Sequence, residues 1–419
     1  MKHIVVTECF ESIVISDKLN DAALNSVEVD ELAAYVRKQE LDEDGILISR
    51  NEVRFINYVG FIQLSTCSIE ILPKVSGSNP RQSRRVLLRM LQCTGFLEIH
   101  ESQISQLTVE KINLLEIIAY LFVAKLSNEL RKGVYRSYQR EQDELQLVRG
   151  KIDMNRQLRR EAMMKPGVSC VYDEFQVTNE LNQVLVAGLQ TVLSRCSYPA
   201  TRMRAASSMA LLDEVKPGPI TQYVMDHMLF DRTNRRFQES YRLAKLLISQ
   251  TAPMSAPGRS KNSSILFKMN DLFEAYVAYL ANKLIDQVTI KDRSHKLLIK
   301  EGTTRGVFQL EPDLLIGSSS GAQIIVDTKW KMIRSDRLRH GVKREDFYQM
   351  YAYLTRYQEV DTVVILYPHH DGIDEPAGSC LESWHLEGQP SKRLKVYTIN
   401  YEDERIAELQ LQEIIDLIE

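Results

Sequence analysis

The strongest constraint on the fold is a short apolar run that ends abruptly in charged residues. Gln323-Ile324-Ile325-Val326 has the composition of a central β-strand and leads directly into Asp327, Thr328 and Lys329. A charge at the end of a buried strand costs several kcal/mol unless it is paired or bound to a metal. The pattern therefore predicts a strand that carries a functional carboxylate.

A second carboxylate lies upstream, in a segment that can pair with this strand as a hairpin. Glu311-Pro312-Asp313 precedes a turn over 317–321, so the turn can bring Asp313 beside Asp327. Asp327 and Lys329 are two residues apart and share one face of a strand. Two carboxylates and the Thr328 carbonyl suit Mg²⁺, and Lys329 suits the phosphoryl charge of phosphodiester hydrolysis. An isolated pair of this kind is usually a solvated face; the apolar run before Asp327 favours the metal pocket.

Two helices offer further groups for the same pocket. An amphipathic helix over 269–285 presents Glu274, which either adds a carboxylate to the metal or faces solvent. A helix over 344–357 places Gln349 and Tyr353 four residues apart on one face. These two side chains either contact phosphate or the attacking water, or they only pack the helix against the sheet.

The order of patterns predicts a multidomain α+β and α/β protein. Residues 1–110 are β-rich, residues 111–250 are mainly helical, 251–264 form a Pro- and Ser-containing linker, and 265–419 form a mixed α/β domain. Among the predicted strands of the last domain is one over 307–316.

Charge and composition argue against several classes of protein, including membrane-spanning and exported proteins. Lys and Arg total 53 against 56 Asp and Glu, so the net charge is −3 and any nucleic-acid surface must be local. No apolar stretch approaches the roughly 20 residues that cross a bilayer, and the acidic start is unlike an export signal. Six Cys without a C-x-x-C pair favour neither a zinc site nor a disulfide framework. We therefore expect a cytoplasmic protein with no membrane association.

Two basic segments are candidates for nucleic-acid contact. From 131 to 160 the basic residues form either a phosphate-contacting stripe or a charged helix face with internal ion pairs. From 329 to 344, next to the predicted pocket, the basic residues favour contact with the DNA backbone. The predicted DNA-binding residues are Lys331, Arg334, Arg337, Arg339, Lys343 and Arg344.

Pro312-Asp313 with Asp327-Thr328-Lys329 resembles the PD-(D/E)xK nuclease superfamily. In that resemblance Glu274 stands in the position of the helical acid, and Gln349 with Tyr353 matches the Q-x-x-x-Y helix. Further segments, over about residues 45–370, are similar to the McrC family. These segments are Tyr58-Val59-Gly60-Phe61-Ile62-Gln63-Leu64, Ile69-Glu70-Ile71-Leu72-Pro73-Lys74, Arg149-Gly150-Lys151-Ile152-Asp153, Tyr172-Asp173-Glu174-Phe175, Phe230-Asp231-Arg232-Thr233-Asn234-Arg235-Arg236 and Met269-Asn270-Asp271-Leu272-Phe273-Glu274.

The resemblance implies a Mg²⁺-dependent DNA endonuclease subunit of a GTP-dependent, methylcytosine-dependent restriction system, whose DNA partner is modified double-stranded DNA. It implies that Asp313, Asp327 and Lys329 are catalytic, with Glu274, Gln349 and Tyr353 beside them. It also implies an AAA+ GTPase partner of the McrB type, which binds the GTP, and it implies that residues 1–110 dock on that partner and stimulate its GTP hydrolysis. The chain has no G-x-x-x-x-G-K-[ST] phosphate-binding loop, consistent with GTP bound in trans. Two alternatives stay open: a non-catalytic activator of the GTPase, and a stand-alone repair nuclease.

Overall fold

A computed structural model describes residues 2–18, 20–38, 41, 45–74, 80–95, 113–164, 166–249, 263–317 and 323–416. The chain forms two compact units. The first unit joins residues 1–101 with 266–419, and the second unit is 102–265. Most of the predicted linker and residues 318–321 of the predicted turn lie outside the described residues. None of the described helices has the length and apolar character needed to cross a membrane.

Among its described residues, the N-terminal part of the first unit has two small sheets and two helices. Its elements are β1 (Lys2–Thr7), β2 (Ser12–Val14), α1 (Ser26–Lys38), β3 (Ile46–Ile48), β4 (Glu52–Phe55), β5 (Tyr58–Gln63), β6 (Cys67–Leu72) and α2 (Pro80–Cys93). One sheet has the order β2-β4-β3, and the other begins β1-β6-β5. Both faces of β5 and β6 are buried, which explains their long apolar runs.

The second unit is a group of helices with a three-stranded antiparallel sheet of order β7-β9-β8. Its elements are α3 (Leu114–Arg131), β7 (Ser137–Leu145), β8 (Lys151–Ile152), α4 (Met154–Ala162), β9 (Val168–Gln176), α5 (Glu180–Arg195), α6 (Pro199–Ala210), α7 (Gln222–Asp226), a 3₁₀ turn at Arg235–Phe237 and α8 (Gln238–Ser249). Helix α3 begins where the Asn113 side chain accepts a hydrogen bond from the Glu116 N–H.

The sheet in the second unit differs from the mainly helical pattern predicted for residues 111–250. β7 alternates between half-buried and exposed side chains, β8 is exposed, and only two residues of β9 are buried, so the strands give no apolar run by which the sequence would reveal them. Part of the first basic segment is thus a strand and not a helix face. Arg149 pairs with Glu174, and Arg160 pairs with Glu144, so internal ion pairs occupy some of its charges.

The C-terminal part of the first unit is built on a six-stranded mixed sheet of order β11-β14-β15-β16-β18-β17. Its elements, after β10 (Ser263–Lys268), are α9 (Met269–Leu284), β11 (Val288–Ile290), β12 (Lys296–Ile299), β13 (Gly306–Gln309), β14 (Leu314–Gly317), β15 (Gln323–Thr328), a 3₁₀ turn at Leu338–Gly341, α10 (Arg344–Arg356), β16 (Val360–Pro368), β17 (Cys380–Leu386), β18 (Gln389–Ile399) and α11 (Glu404–Asp416). Strands β15, β16 and β18 run parallel. Their buried side chains and those of α10 form one apolar core.

The strand predicted over 307–316 is two strands in the structure. β13 pairs with β12 in a separate two-stranded sheet, whereas β14 pairs with β15. Glu311-Pro312-Asp313 lies between them. Proline has no N–H to donate to a sheet, so it ends the strand and leaves Asp313 just before β14.

The domain layout also differs from the layout expected from the sequence, which separated 1–110 from 265–419. Strand β10 belongs to the same sheet as β5 and β6. Segments that come before and after the second unit in the sequence therefore form one sheet. Leu266 packs on the N-terminal apolar core. The Lys74 ammonium donates to the Trp330 carbonyl at 3.1 Å, and Tyr401 donates to the Lys74 carbonyl at 2.8 Å. These long-range contacts make residues 1–101 and 266–419 one unit.

Candidate active site

The two aspartates singled out in the sequence meet where β14 and β15 pair. Leu314 lies opposite Val326, so Asp313 and Asp327 are the next residues outward on adjacent strands. Asp313 Oδ2 accepts hydrogen bonds from the Thr328 N–H at 2.6 Å and the Thr328 hydroxyl at 2.7 Å. The hairpin geometry predicted from the sequence is therefore present, and Thr328 orients Asp313.

Asp327 is completely buried. Burial, followed by the negative charge of Asp313, raises the pKa of Asp327 to about 7. The Lys329 ammonium forms an ion pair with Asp327 Oδ2 and opposes this rise. Burial lowers the pKa of Lys329, but the carboxylates of Asp327, Asp313 and Asp346 together outweigh it, and the net shift is upward. The site thus concentrates negative charge that one lysine only partly offsets.

Gln349 and Tyr353 reach this pocket from α10. The Gln349 amide nitrogen lies 3.3 Å from Asp327 Oδ1 and 2.8 Å from the Tyr353 hydroxyl. The Tyr353 hydroxyl in turn donates to the Glu311 carbonyl at 3.2 Å. Both side chains therefore hold Asp327 and the segment before Asp313 in place.

Glu274 is brought to the edge of the pocket by α9, together with a lysine that the sequence analysis did not identify. Lys291 Nζ lies 3.0 Å from Glu274 Oε1, and the Lys291 N–H donates to the Asp313 carbonyl at 3.0 Å. Burial first, and then the charge of Asp313, raises the pKa of Glu274. Lys291 follows the short strand β11, and only the pairing of β11 with β14 brings it here, so no local motif could have indicated it.

A small hard cation at this site would be held by two carboxylates, those of Asp313 and Asp327, and not by a third from Glu274. Across the described ranges, no three His, Cys, Asp or Glu side chains converge as a metal site. Glu274 is engaged by Lys291 instead. Mg²⁺ typically binds one or two protein carboxylates and keeps several waters, so Asp313 and Asp327 fit it. Burial, and then the charge of Asp313, raises the pKa of Asp327, and a cation bound by both carboxylates would offset that charge.

The predicted DNA-binding residues follow β15 but differ in their surroundings. Lys331 pairs with the buried Asp346 at 2.6 Å, and Arg334 pairs with the exposed Asp336 at 3.1 Å. The others are exposed, and in the described part of the chain they have no acidic partner: Arg337, Arg339, Lys343 and Arg344. This second group is therefore the part of the segment best placed to meet phosphate.

Comparisons with known proteins agree with this architecture. The profile of the family described as McrBC 5-methylcytosine restriction system component matches residues 53–368. A search of curated proteins finds no match.

Two solved structures share the fold. One is a refined half-complex from a tetradecameric assembly of Thermococcus gammatolerans McrB AAA+ hexamers with bound McrC. Its matching chain is 20% identical with a TM-score of 0.73, covering 98% of this chain and 100% of that chain. The other is the Thermococcus gammatolerans McrBC complex, at 24% identity and a TM-score of 0.53, covering 67% of this chain and 87% of that chain. With the profile match spanning most of the sequence, the chain belongs to the McrBC family of 5-methylcytosine restriction system components.

Proposed function

We propose that this chain is the Mg²⁺-dependent DNA endonuclease subunit of a GTP-dependent restriction system that acts on methylcytosine-containing DNA. The observation that carries the proposal is the meeting of Asp313, Asp327 and Lys329 at the ends of paired strands, as in the PD-(D/E)xK arrangement. Family membership supports the restriction role.

Each residue of the pocket would have its own role in phosphodiester hydrolysis. Asp313 and Asp327 would hold Mg²⁺, with the Thr328 carbonyl as a further oxygen donor, and the cation would supply electrostatic stabilisation to the scissile phosphate. Lys329 places a positive charge where the attacked phosphate gains negative charge. Gln349 and Tyr353 position Asp327, and Glu274 with Lys291 sets the charge at the pocket edge.

We infer that the partner is an AAA+ GTPase of the McrB type. In the two Thermococcus structures, McrC is bound to McrB hexamers or belongs to the McrBC complex. The resemblance assigns docking to residues 1–110. The second unit offers another surface, because the rings of Tyr138 and Phe175 lie in tilted contact on its sheet, with centroids 5.1 Å apart, and remain 72% and 53% exposed.

We expect the chain to stimulate GTP hydrolysis by its partner. Measuring this stimulation in surface variants shows which of the two candidate surfaces docks on the partner. Tyr138→Ser with Phe175→Ser alters the second unit, whereas Val14→Ser with Val27→Ser alters exposed apolar residues of the first unit. The pair that lowers stimulation of the partner's GTP turnover, in a variant that stays folded, identifies the docking surface.

The nuclease proposal is tested by single substitutions in the pocket. Asp313→Ala, Asp327→Ala and Lys329→Ala should each lower cleavage of methylated DNA by at least about 10²-fold, because each removes charge needed for phosphoryl chemistry. Asp361→Ala, at an exposed position of β16, is the matched control and should cleave normally. The measurement is cleavage with Mg²⁺ or EDTA, by the chain alone and with its GTPase.

The same assay separates the alternatives. Cleavage close to wild type in Asp327→Ala would remove the proposed site. Cleavage by the isolated chain, without dependence on GTP, would favour the stand-alone nuclease. GTPase stimulation without any cleavage in the wild type would favour the non-catalytic activator.

A further inference from the structure

A basic cleft opens in the first unit beside the strand that carries Asp327. It has a volume of about 850 Å³. One wall follows β15 from Trp330 and Lys331, and the other is the turn after β1, which includes Cys9 and Phe10. Lys331 is two residues beyond Lys329, at most about 7 Å along the chain. The cleft therefore begins next to the candidate active site.

The lining of the cleft is predominantly cationic. Its basic residues are Lys74, Lys331, Arg334, Arg337 and Lys343. Its acids are Glu11 and Asp371, and Glu11 already accepts a hydrogen bond from the Thr7 N–H. Arg337 and Lys343 are exposed and form no ion pair within the described ranges. The charge and the free cations suit an anionic polymer.

Phe10 adds a flat apolar surface to this basic lining. It is 54% exposed although its neighbour Glu8 is completely buried. Cys9 has a φ of 62°, and the Phe10 N–H donates to the Glu8 carbonyl at 2.7 Å, so the chain turns sharply at this point. The Cys9 N–H donates to the Phe55 carbonyl at 2.8 Å, which fixes the turn to β4. These bonds fix the backbone at Phe10, so its side chain leaves the chain at a defined point of the cleft lining.

We propose that this cleft binds an unstacked nucleotide of single-stranded DNA, with its base on Phe10 and its phosphates on Arg337 and Lys343. The inference rests on the proposed nuclease function. It states which part of the DNA strand the cleft would hold next to the bond that is cleaved. An aromatic platform flanked by cations is the usual means of binding single strands. A base inside a duplex has both faces covered by its neighbours, so only an unstacked base can use Phe10.

The test is binding of DNA to the full-length chain in EDTA, where no cleavage occurs. The probes are a fluorescein-labelled single-stranded oligonucleotide and a blunt duplex of the same sequence, followed by fluorescence anisotropy. Phe10→Ala should weaken single-strand binding at least about fivefold and duplex binding much less, and Phe10→Trp should retain binding. Phe308→Ala is the matched control, because Phe308 is 70% exposed in the same unit but outside the cleft.

The contribution of the cationic side chains of the cleft is tested separately from that of Phe10. Arg337→Gln should reduce the salt dependence of single-strand binding by about 0.7 in the log-log slope, whereas Arg305→Gln, exposed but outside the cleft, should not. Equal binding by Phe10→Ala and wild type, or equal losses for single strand and duplex, would overturn the proposal. Because binding is measured without metal, this outcome is independent of whether Asp327→Ala abolishes cleavage.

Discussion

At the scale of single residues, Asp327 shows what a sequence can and cannot indicate about a site. Its position after an apolar run predicted a buried carboxylate, and the structure confirms that it is completely buried. The position of Lys329 on the same face was equally predictable, because side chains two residues apart on a strand point to the same side. Lys291 was not, because it joins the site only through the pairing of two short strands.

The raised pKa of Asp327 predicts how metal binding depends on pH. Below about pH 7 the buried carboxyl holds a proton, which Mg²⁺ must displace. The apparent affinity for Mg²⁺ should therefore fall by up to about tenfold for each pH unit below about 7, and level off above it. Calorimetric titration from about pH 6 to about pH 8 measures this, and constant affinity across that range would contradict it.

Lys291 and Glu274 should behave as one coupled pair in catalysis. Lys291→Met leaves the Glu274 carboxylate without its cation at 3.0 Å and should slow cleavage by about tenfold. Glu274→Gln should be milder than Asp327→Ala. Because each single change disrupts the same contact, the double variant should be little slower than Lys291→Met alone. Single-turnover cleavage rates give the comparison; losses that multiply would show that the two residues act independently.

At the scale of elements, the segment that follows β15 is fixed by the N-terminal part of the same unit. The Trp330 indole N–H donates to Glu8 Oε1 at 2.6 Å, and the Asn57 N–H donates to Glu8 Oε2 at 2.9 Å. Lys74 lies over the Trp330 ring at 5.1 Å. The sequence predicted the strand that precedes Trp330, but it identified neither β1 nor the hydrogen bond between the buried acid at residue 8 and the indole of residue 330. Such contacts depend on three-dimensional packing and leave no periodic pattern.

Loss of the Glu8 carboxylate should therefore loosen the strand end that carries Lys329. Glu8→Ala leaves the buried Trp330 and Asn57 N–H groups without acceptors and Lys74 without its counter-charge, so unfolding free energy should fall by roughly 3 kcal/mol. Glu52→Ala, which removes an exposed pair with Arg54, should cost under about 1 kcal/mol. Urea denaturation measures both; similar losses in the two variants would show that the Glu8 contacts contribute little.

At the scale of the whole molecule, the first unit is discontinuous in sequence. A Pro- and Ser-containing stretch between helices predicted a boundary near 251–264, and the change of unit at residue 265 lies beside it. Composition could not show that the chain after this boundary returns to a sheet begun in the first 101 residues, because strand pairing between distant segments has no local signal. Elements with a clear apolar pattern, such as β15 and α10, were predictable, whereas the partners of the strands were not.

Truncated chains should reveal this discontinuity. A chain of residues 102–265 retains the buried faces of α3, α5, α6 and α8, so it should unfold cooperatively by circular dichroism in urea. A chain of residues 1–248 should not, because its N-terminal sheet lacks β10, and Glu8 and Lys74 lack Trp330. The buried Glu8 carboxyl would then have no indole donor, which adds to the cost of folding that part alone. A cooperative transition of the N-terminal sheet in 1–248 would instead show that residues 1–101 fold independently, as the sequence pattern alone suggested.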